Sequence, residues 1–201
     1  MKIAGFACKN KGFLPAGLPH HHFIGMNSAS RRHMNNDSPT AHPDTGNIRL
    51  RPEEPGDEAL LFELYASTRE EELAMTGWDN ATRGMFLDLQ FKAMRQGYRS
   101  MFPQGEFSII LANETAVGRI VVDRSTTEIH VVDIVISSAH RNRGIGTHLM
   151  SALLEEARQA GKPVRLQVLK NSRPIVFYQR LGFSKTSETG LYEQMEWIRG
   201  K

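Results

Sequence analysis

The sequence predicts an α/β fold, one mixed sheet faced by helices, and three observations carry that prediction. Strand-like runs at 107–111, 116–123 and 128–136 are joined by links too short for a parallel crossover, which needs about a dozen residues or more, so they form an antiparallel meander. A strongly periodic helix then opens at Gly144 and Gly146 and closes at Gly161 and Pro163. Beyond it, a strand, a short helix and two more strands complete the order β-α-α-β-β-β-α-β-α-β-β. The composition agrees with one globular domain: 201 residues, 40% hydrophobic and 23% charged.

Each element has its own signal. Ile48-Arg49-Leu50-Arg51 alternates and stops at Pro52, which reads as the first strand. Leu60, Leu61, Leu64 and Tyr65 recur at helical spacing and predict a helix over 56–73. Met85, Phe86, Leu89 and Met94 predict a second from about Ala81 to Tyr98, ended by Pro103. In the third helix Ile145, Leu149, Leu153 and Ala157 return every four residues. Val164–Leu169 is a strand, and Ser172–Leu181 is a helix with Pro174 in its first turn, where proline is tolerated. Gly182-Phe183 leads into the next strand, and Leu191–Ile198 is the last.

Residues 1–46 have a different texture. They hold five of the eight histidines and four of the nine prolines, with no sustained period, and predict a disordered extension ahead of a domain at 47–201. The net charge of +3 resides there, because the remaining basic and acidic residues balance. A nucleic-acid-binding domain would carry a basic face in its folded part, so this balance argues against one. His20-His21-His22 offers imidazoles for a metal or forms a solvated polar tract. Lys9 and Lys11 interrupt any apolar leader, no run is long enough to span a bilayer, and Cys8 is the one cysteine. A cytoplasmic protein without membrane contact is expected.

The chemically informative segment runs Asp133-Ile134-Val135-Ile136-Ser137-Ser138-Ala139-His140-Arg141-Asn142-Arg143-Gly144-Ile145-Gly146-Thr147. A buried strand feeds a glycine turn that feeds a helix. The free amides and positive dipole end of a helix start favour an anion, and glycine lets it come close. Arg141 and Arg143 add charged donors, so a phosphate or diphosphate is the natural guest. A P-loop would need lysine after Gly146, and a dinucleotide fingerprint would need glycine at Leu149; both patterns fail.

The pattern Arg141-x-x-Gly144-x-Gly146 resembles the acetyl-coenzyme A turn of the GNAT superfamily of N-acetyltransferases. A second block, Asn171 to Phe183, is similar to that family's N-x-x-A-x-x-x-Y-x-x-x-G-F motif. Asn171, Tyr178 and Gly182-Phe183 stand at matching positions, and Pro174 departs from the usual small residue. The resemblance covers about residues 47–198.

That resemblance implies a GNAT-like fold and acetyl-CoA as cosubstrate, with no metal at the site. The diphosphate would rest on Arg141, Asn142, Arg143, Gly144, Ile145, Gly146 and Thr147. The pantetheine arm would lie along Ile134, Val135 and Ile136, with an amide near Val135 on the thioester oxygen and Asn171 on the arm's other side. This requires the strand before the turn to splay from Val164–Leu169. An amine would attack the thioester directly, and Tyr178, protonated at neutral pH, would be the general acid. The base stays open between His130, Asp133 and no dedicated group. Alternation places His130 with Val132, Ile134 and Ile136, and Asp133 on the other face unless a bulge intervenes.

The resemblance implies a small-molecule or peptide amine as the acceptor. Glu70, Glu71, Glu72 and Asp79 form either an acidic rim for a cation or a solvated helix face. The family leaves room for a homodimer. A catalytically silent acetyl-CoA-binding module and an interaction protein acting through the extension are the rival readings.

Overall fold

The computed structural model describes residues 47–200, so the readings of the 1–46 extension and of His20–His22 lie outside the described residues. Seven strands form one sheet in the order β1-β2-β3-β4-β5-β7-β6. They are β1 (Ile48–Pro52), β2 (Glu106–Ala112), β3 (Thr115–Arg124), β4 (Ile129–Ile136), β5 (Val164–Leu169), β6 (Ser184–Thr189) and β7 (Tyr192–Trp197). Every neighbouring pair is antiparallel except β4 and β5. The expected meander of β2, β3 and β4 is therefore present. The last strands exchange places: β7 returns between β5 and β6.

On one face lie α1 (Glu58–Ser67) and α3 (Asn80–Met101), joined by the short α2 (Glu70–Ala74). The single helix expected over 56–73 is thus two. The hydroxyls of Ser67 and Thr68 bond back to the carbonyls of Leu64 and Tyr65 at 2.8 and 2.7 Å, which ends α1 at that point. Asp79 caps α3 by accepting from the Thr82 amide at 2.7 Å. On the opposite face lie α4 (Ile145–Ala160) and α5 (Pro174–Arg180). The four-residue period of α4 buries Ile145, Leu149, Leu153 and Ala157, as the sequence predicts, and adds Met150.

The central strands are buried on both faces. Ile129, Val131, Ile134 and Ile136 pack with α4, Tyr178 and Phe183. Val121 and Val132 pack under Tyr98 of α3, and Ile109 packs with Leu61 and Phe91. Two irregularities of β4 position everything that follows. Val122 faces Val131 and Val121 faces Asp133, so Val132 is an extra residue, a bulge. Furthermore, β4 pairs with β5 only over Ile129–Val131 against Val164–Leu166. Beyond Val131 the two parallel strands separate, which is the splay the sequence reading requires.

Gly118 holds β3 close to the end of β4. A Cβ there would lie 2.4 Å from the Val135 carbonyl oxygen and 3.2 Å from the Ile136 Cα, both backbone atoms that cannot rotate away. Gly118→Ala should therefore behave as an overpacking mutation of about 1–3 kcal/mol. For a domain of this size that corresponds to a fall in Tm of roughly 2–12 °C, measurable by thermal melting. An unchanged Tm would mean that the approach of β3 to β4 is not tight.

Candidate active site

The strand–turn–helix segment follows from its sequence. After Ile136 a 3-10 turn (Ser138–His140) is tied by a 2.8 Å hydrogen bond between the Ser137 hydroxyl and His140 Nδ1. Asn142 and Gly144 then take left-handed backbone angles, φ 61° and 82°, and α4 starts at Ile145 without a side-chain cap. The amides of Ile145, Gly146 and Thr147 consequently lack intrahelical acceptors and point out of the helix start. The Arg141 Nε donates to the Ile136 carbonyl oxygen at 2.9 Å, while its Nη2 is buried without a partner. Burial pulls the Arg141 pKa below its usual range, and the charge of Glu70 on α2 opposes that shift.

The hydrogen-bond alternation of β4 decides which backbone groups face the gap toward β5. Ser137 N–H donates to the Val117 carbonyl on β3 at 2.8 Å. In the same register Arg119 stands opposite Val135, so Val135 also spends its amide on β3. Ile134 and Ile136 therefore turn their amides and carbonyls to the gap, consistent with Arg141 reaching the Ile136 carbonyl. Val135 sends its side chain to a small pocket under α1, lined also by Leu61, Tyr65, Met94, Arg119 and Asp133.

Tyr178 projects from α5 into the core shared with Ile134, Ile136 and Val168 and is fully buried. Its ring packs edge-on against Phe177 and Phe183, yet its hydroxyl has no hydrogen-bond partner. Burial, reinforced by the negative charge of Asp133, raises its pKa far above the ordinary phenol range, so the proton is held. Asn171 occupies an exposed left-handed turn (φ 57°) just after β5, on the far side of the gap.

The bulge changes the placement of the two base candidates. Simple alternation puts His130 with Ile134 and Ile136 and Asp133 opposite. Because Val132 is an extra residue, Asp133 instead shares the α1/α3 face with His130, and Ile134 and Ile136 lie on the other. His130 is half-buried with its ring edge-on to Phe102 at 5.4 Å. Asp133 forms an ion pair with Arg119, both side chains being almost wholly buried. Arg119 is the residue that pattern reading missed. A lone cation in the apolar run 116–123 was the signal, since a buried charge requires a partner.

A second polar group forms where α1 meets α2. Arg69 is 2% exposed and donates to the Tyr65 hydroxyl at 3.1 Å and to Glu72 at 2.8 Å, and Tyr65 donates to Gln90 at 3.0 Å. Tyr192 of β7 is close enough to feel both charges. Its buried hydroxyl has no partner, and burial pushes its pKa up to about 12, with Arg69 opposing and Glu72 adding. The acidic run is thus divided: Glu72 is paired, Glu70 acts on Arg141, and Asp79 is a cap.

These features fit acetyl-CoA: free helix-start amides and an unpartnered arginine nitrogen for phosphates, an open strand edge for an amide-bearing arm, and a buried donor. The acetyltransferase (GNAT) family model matches residues 62–183, and the chain belongs to that family. Among solved structures it is similar to the PaiA N-acetyltransferase of Thermoplasma acidophilum in complex with coenzyme A. That match has 18% identity and TM-score 0.57 and covers 76% of this chain and 99% of the other. Ard1 of Thermoplasma volcanium matches at 22% identity and TM-score 0.51, over 75% and 97%. A GNAT family acetyltransferase of Elizabethkingia anophelis with acetyl-CoA bound matches at 16% and 0.50, over 76% and 98%. No curated protein sequence matches this chain. Among the described residues no helix is long and apolar enough to cross a membrane.

A buried hydroxyl without a partner is destabilising by about 1–3 kcal/mol. Tyr178→Phe should therefore leave the Tm of the ligand-free protein unchanged or raise it by a few degrees. A fall of more than about 5 °C in thermal melting would show that the hydroxyl has a structural partner.

Proposed function

We propose that the protein transfers the acetyl group of acetyl-CoA directly to a primary amine of a small molecule or peptide. The observation that carries this reading is the gap between β4 and β5, lined by the Ile134 and Ile136 backbone, opening on the α4 amides at one end and near the unpartnered Tyr178 hydroxyl. Arg141, Asn142, Arg143, Gly144, Ile145, Gly146 and Thr147 hold the diphosphate. The Ile134–Ile136 edge and Asn171 hold the pantetheine arm, as an added strand would be held. Acetyl-CoA supplies an activated thioester, and the Ile134 amide donates to its oxygen as charge develops there.

The amine nitrogen forms a bond to the thioester carbon while the carbon–sulfur bond breaks. Tyr178, kept protonated by burial, gives its proton to the leaving sulfur. His130 takes the proton lost by the amine; Asp133, engaged by Arg119, is the weaker candidate. The corner of Tyr65, Arg69, Glu72 and Tyr192 orients the acceptor. All these roles belong to a domain at 47–201, and residues 1–46 form an extension to it. The protein works in the cytoplasm.

Acetyl-CoA or CoA should raise the Tm, because a ligand that binds only the folded state stabilises it by mass action. Gly146→Asp should abolish most of that increase by placing a carboxylate against the diphosphate. In a thiol-release assay over an amine panel, Tyr178→Phe should lower kcat by roughly 10² and leave acetyl-CoA affinity nearly unchanged. Activity within about threefold of the parent would reject Tyr178 as the acid. Stabilisation by acetyl-CoA without turnover on any amine would favour a silent binding module.

His130→Gln should lower kcat/KM by about tenfold or more near neutral pH. The defect should shrink as pH approaches the amine pKa of about 10.4, where the acceptor loses its proton unaided. A defect constant across the pH range would remove His130 as the base.

A further inference from the structure

Asp133 is only the weaker base candidate above, and its ion pair with Arg119 serves no step there, yet the pair occupies a demanding position. Asp133 is 1% exposed and Arg119 is 5% exposed. No other ion pair within residues 47–200 buries both side chains so completely. The two residues stand diagonally across β3 and β4, since Arg119 faces Val135 and Asp133 faces Val121. Asp133 is the first residue after the bulged Val132 and immediately precedes Ile134. Arg119 is itself confined from α3, with its guanidinium 5.9 Å from the centre of the Tyr98 ring and Nη2 3.9 Å from the Met94 sulfur. Burying both charges has a large desolvation penalty, and replacing such a pair with apolar residues is often neutral or stabilising. Stability is therefore a poor account of this pair at this place.

A bulge is the point of a strand that turns most easily, because its extra residue is not fixed by the ladder. The first gap-facing amide after the bulge belongs to Ile134. We propose that Arg119 is a positioning residue that, by holding the Asp133 carboxylate from β3, locks the β4 bulge and fixes the aim of the Ile134 amide at the thioester oxygen. The inference rests on the acetyl-transfer reading. Arg119 touches neither substrate; it acts through Asp133 and the backbone. The geometry gives Asp133 the same role, as the part of β4 that is held. An arrangement of this kind affects the transition state more than cofactor binding, because the diphosphate contacts on α4 do not pass through the bulge.

The test uses the full chain and the double variant Arg119→Met with Asp133→Leu. It removes both charges together, so that neither is left buried alone. Two readouts are compared with the parent. The first is the backbone 15N–1H resonance of Ile134, recorded with saturating CoA and with saturating acetyl-CoA. In the parent this amide should respond more to acetyl-CoA than to CoA, and in the double variant that acetyl-specific difference should vanish. The second is turnover: kcat should fall about tenfold or more while acetyl-CoA affinity stays within about threefold. A folded double variant that keeps the acetyl-specific response and turns over within threefold of the parent would overturn the proposal. A parent whose Ile134 amide ignores the acetyl group would overturn it at its premise, independently of turnover. If instead the parent binds acetyl-CoA with the Ile134 response but acetylates no amine, the acetyl-transfer reading fails, and the positioning role stands only where the double variant loses that response. A double variant that does not fold would assign the pair to stability and overturn the proposal.

Discussion

The parting of β4 from β5 governs this molecule. A parallel pair normally hydrogen-bonds along its whole length, because each unpaired buried amide or carbonyl is costly. Here pairing stops after three residues of β4. The backbone of Ile134 and Ile136 is left facing a gap rather than a strand, and one of those carbonyls is already taken by Arg141. The gap persists because β4 is secured on its other side, by the β3 ladder and by the close approach that only Gly118 allows. It is further held open by α4, which follows β4 through the glycine turn, and by α5, whose Tyr178 fills the core beyond it.

Electrostatics divide the molecule along the same line. On the α4 side the positive charge is left unmatched: unpaired helix-start amides and the buried, unpartnered nitrogen of Arg141. On the α1/α3 side the charges are internally matched, Arg119 by Asp133 and Arg69 by Glu72. Tyr178 and Tyr192 stand on either side of this division, each with a buried hydroxyl lacking a partner and each more reluctant than a free phenol to lose its proton. Glu70 connects the two sides, since its charge reaches Arg141 of the glycine turn from α2.

How much of this is legible in the sequence depends on how local each cause is. The glycine turn, the α4 period and the place of Tyr178 depend on spacing along one segment, and all could be read. The helix break after Ser67 is local as well, but the helical spacing of Leu60, Leu61, Leu64 and Tyr65 draws the eye past two adjacent hydroxyls that end α1. The bulge at Val132 is different in kind. Val131, Val132 and the run Ile134-Val135-Ile136 carry no mark of which residue is extra, and only pairing with β3 decides it. The faces of His130 and Asp133 depend on that decision, as does the partner of Arg119, fourteen residues away. The cluster of Tyr65, Arg69, Glu72, Gln90 and Tyr192 depends on contacts among α1, α2, α3 and β7 and has no contiguous signature.

The outer edge of the sheet at β1 shows how a protein usually guards exposed strand backbone. β1 carries Arg49 and Arg51 and ends in a proline that cannot donate, features that discourage a stray chain from adding on. The edge between β4 and β5 lies inside the sheet and has no such guard. Its protection is its length: two residues with outward groups, closed on one side by the start of α4, are too few to recruit another strand. A short linear molecule with its own amides can still lie there. The same brevity that guards this edge limits what could pair with it to the backbone groups of two residues.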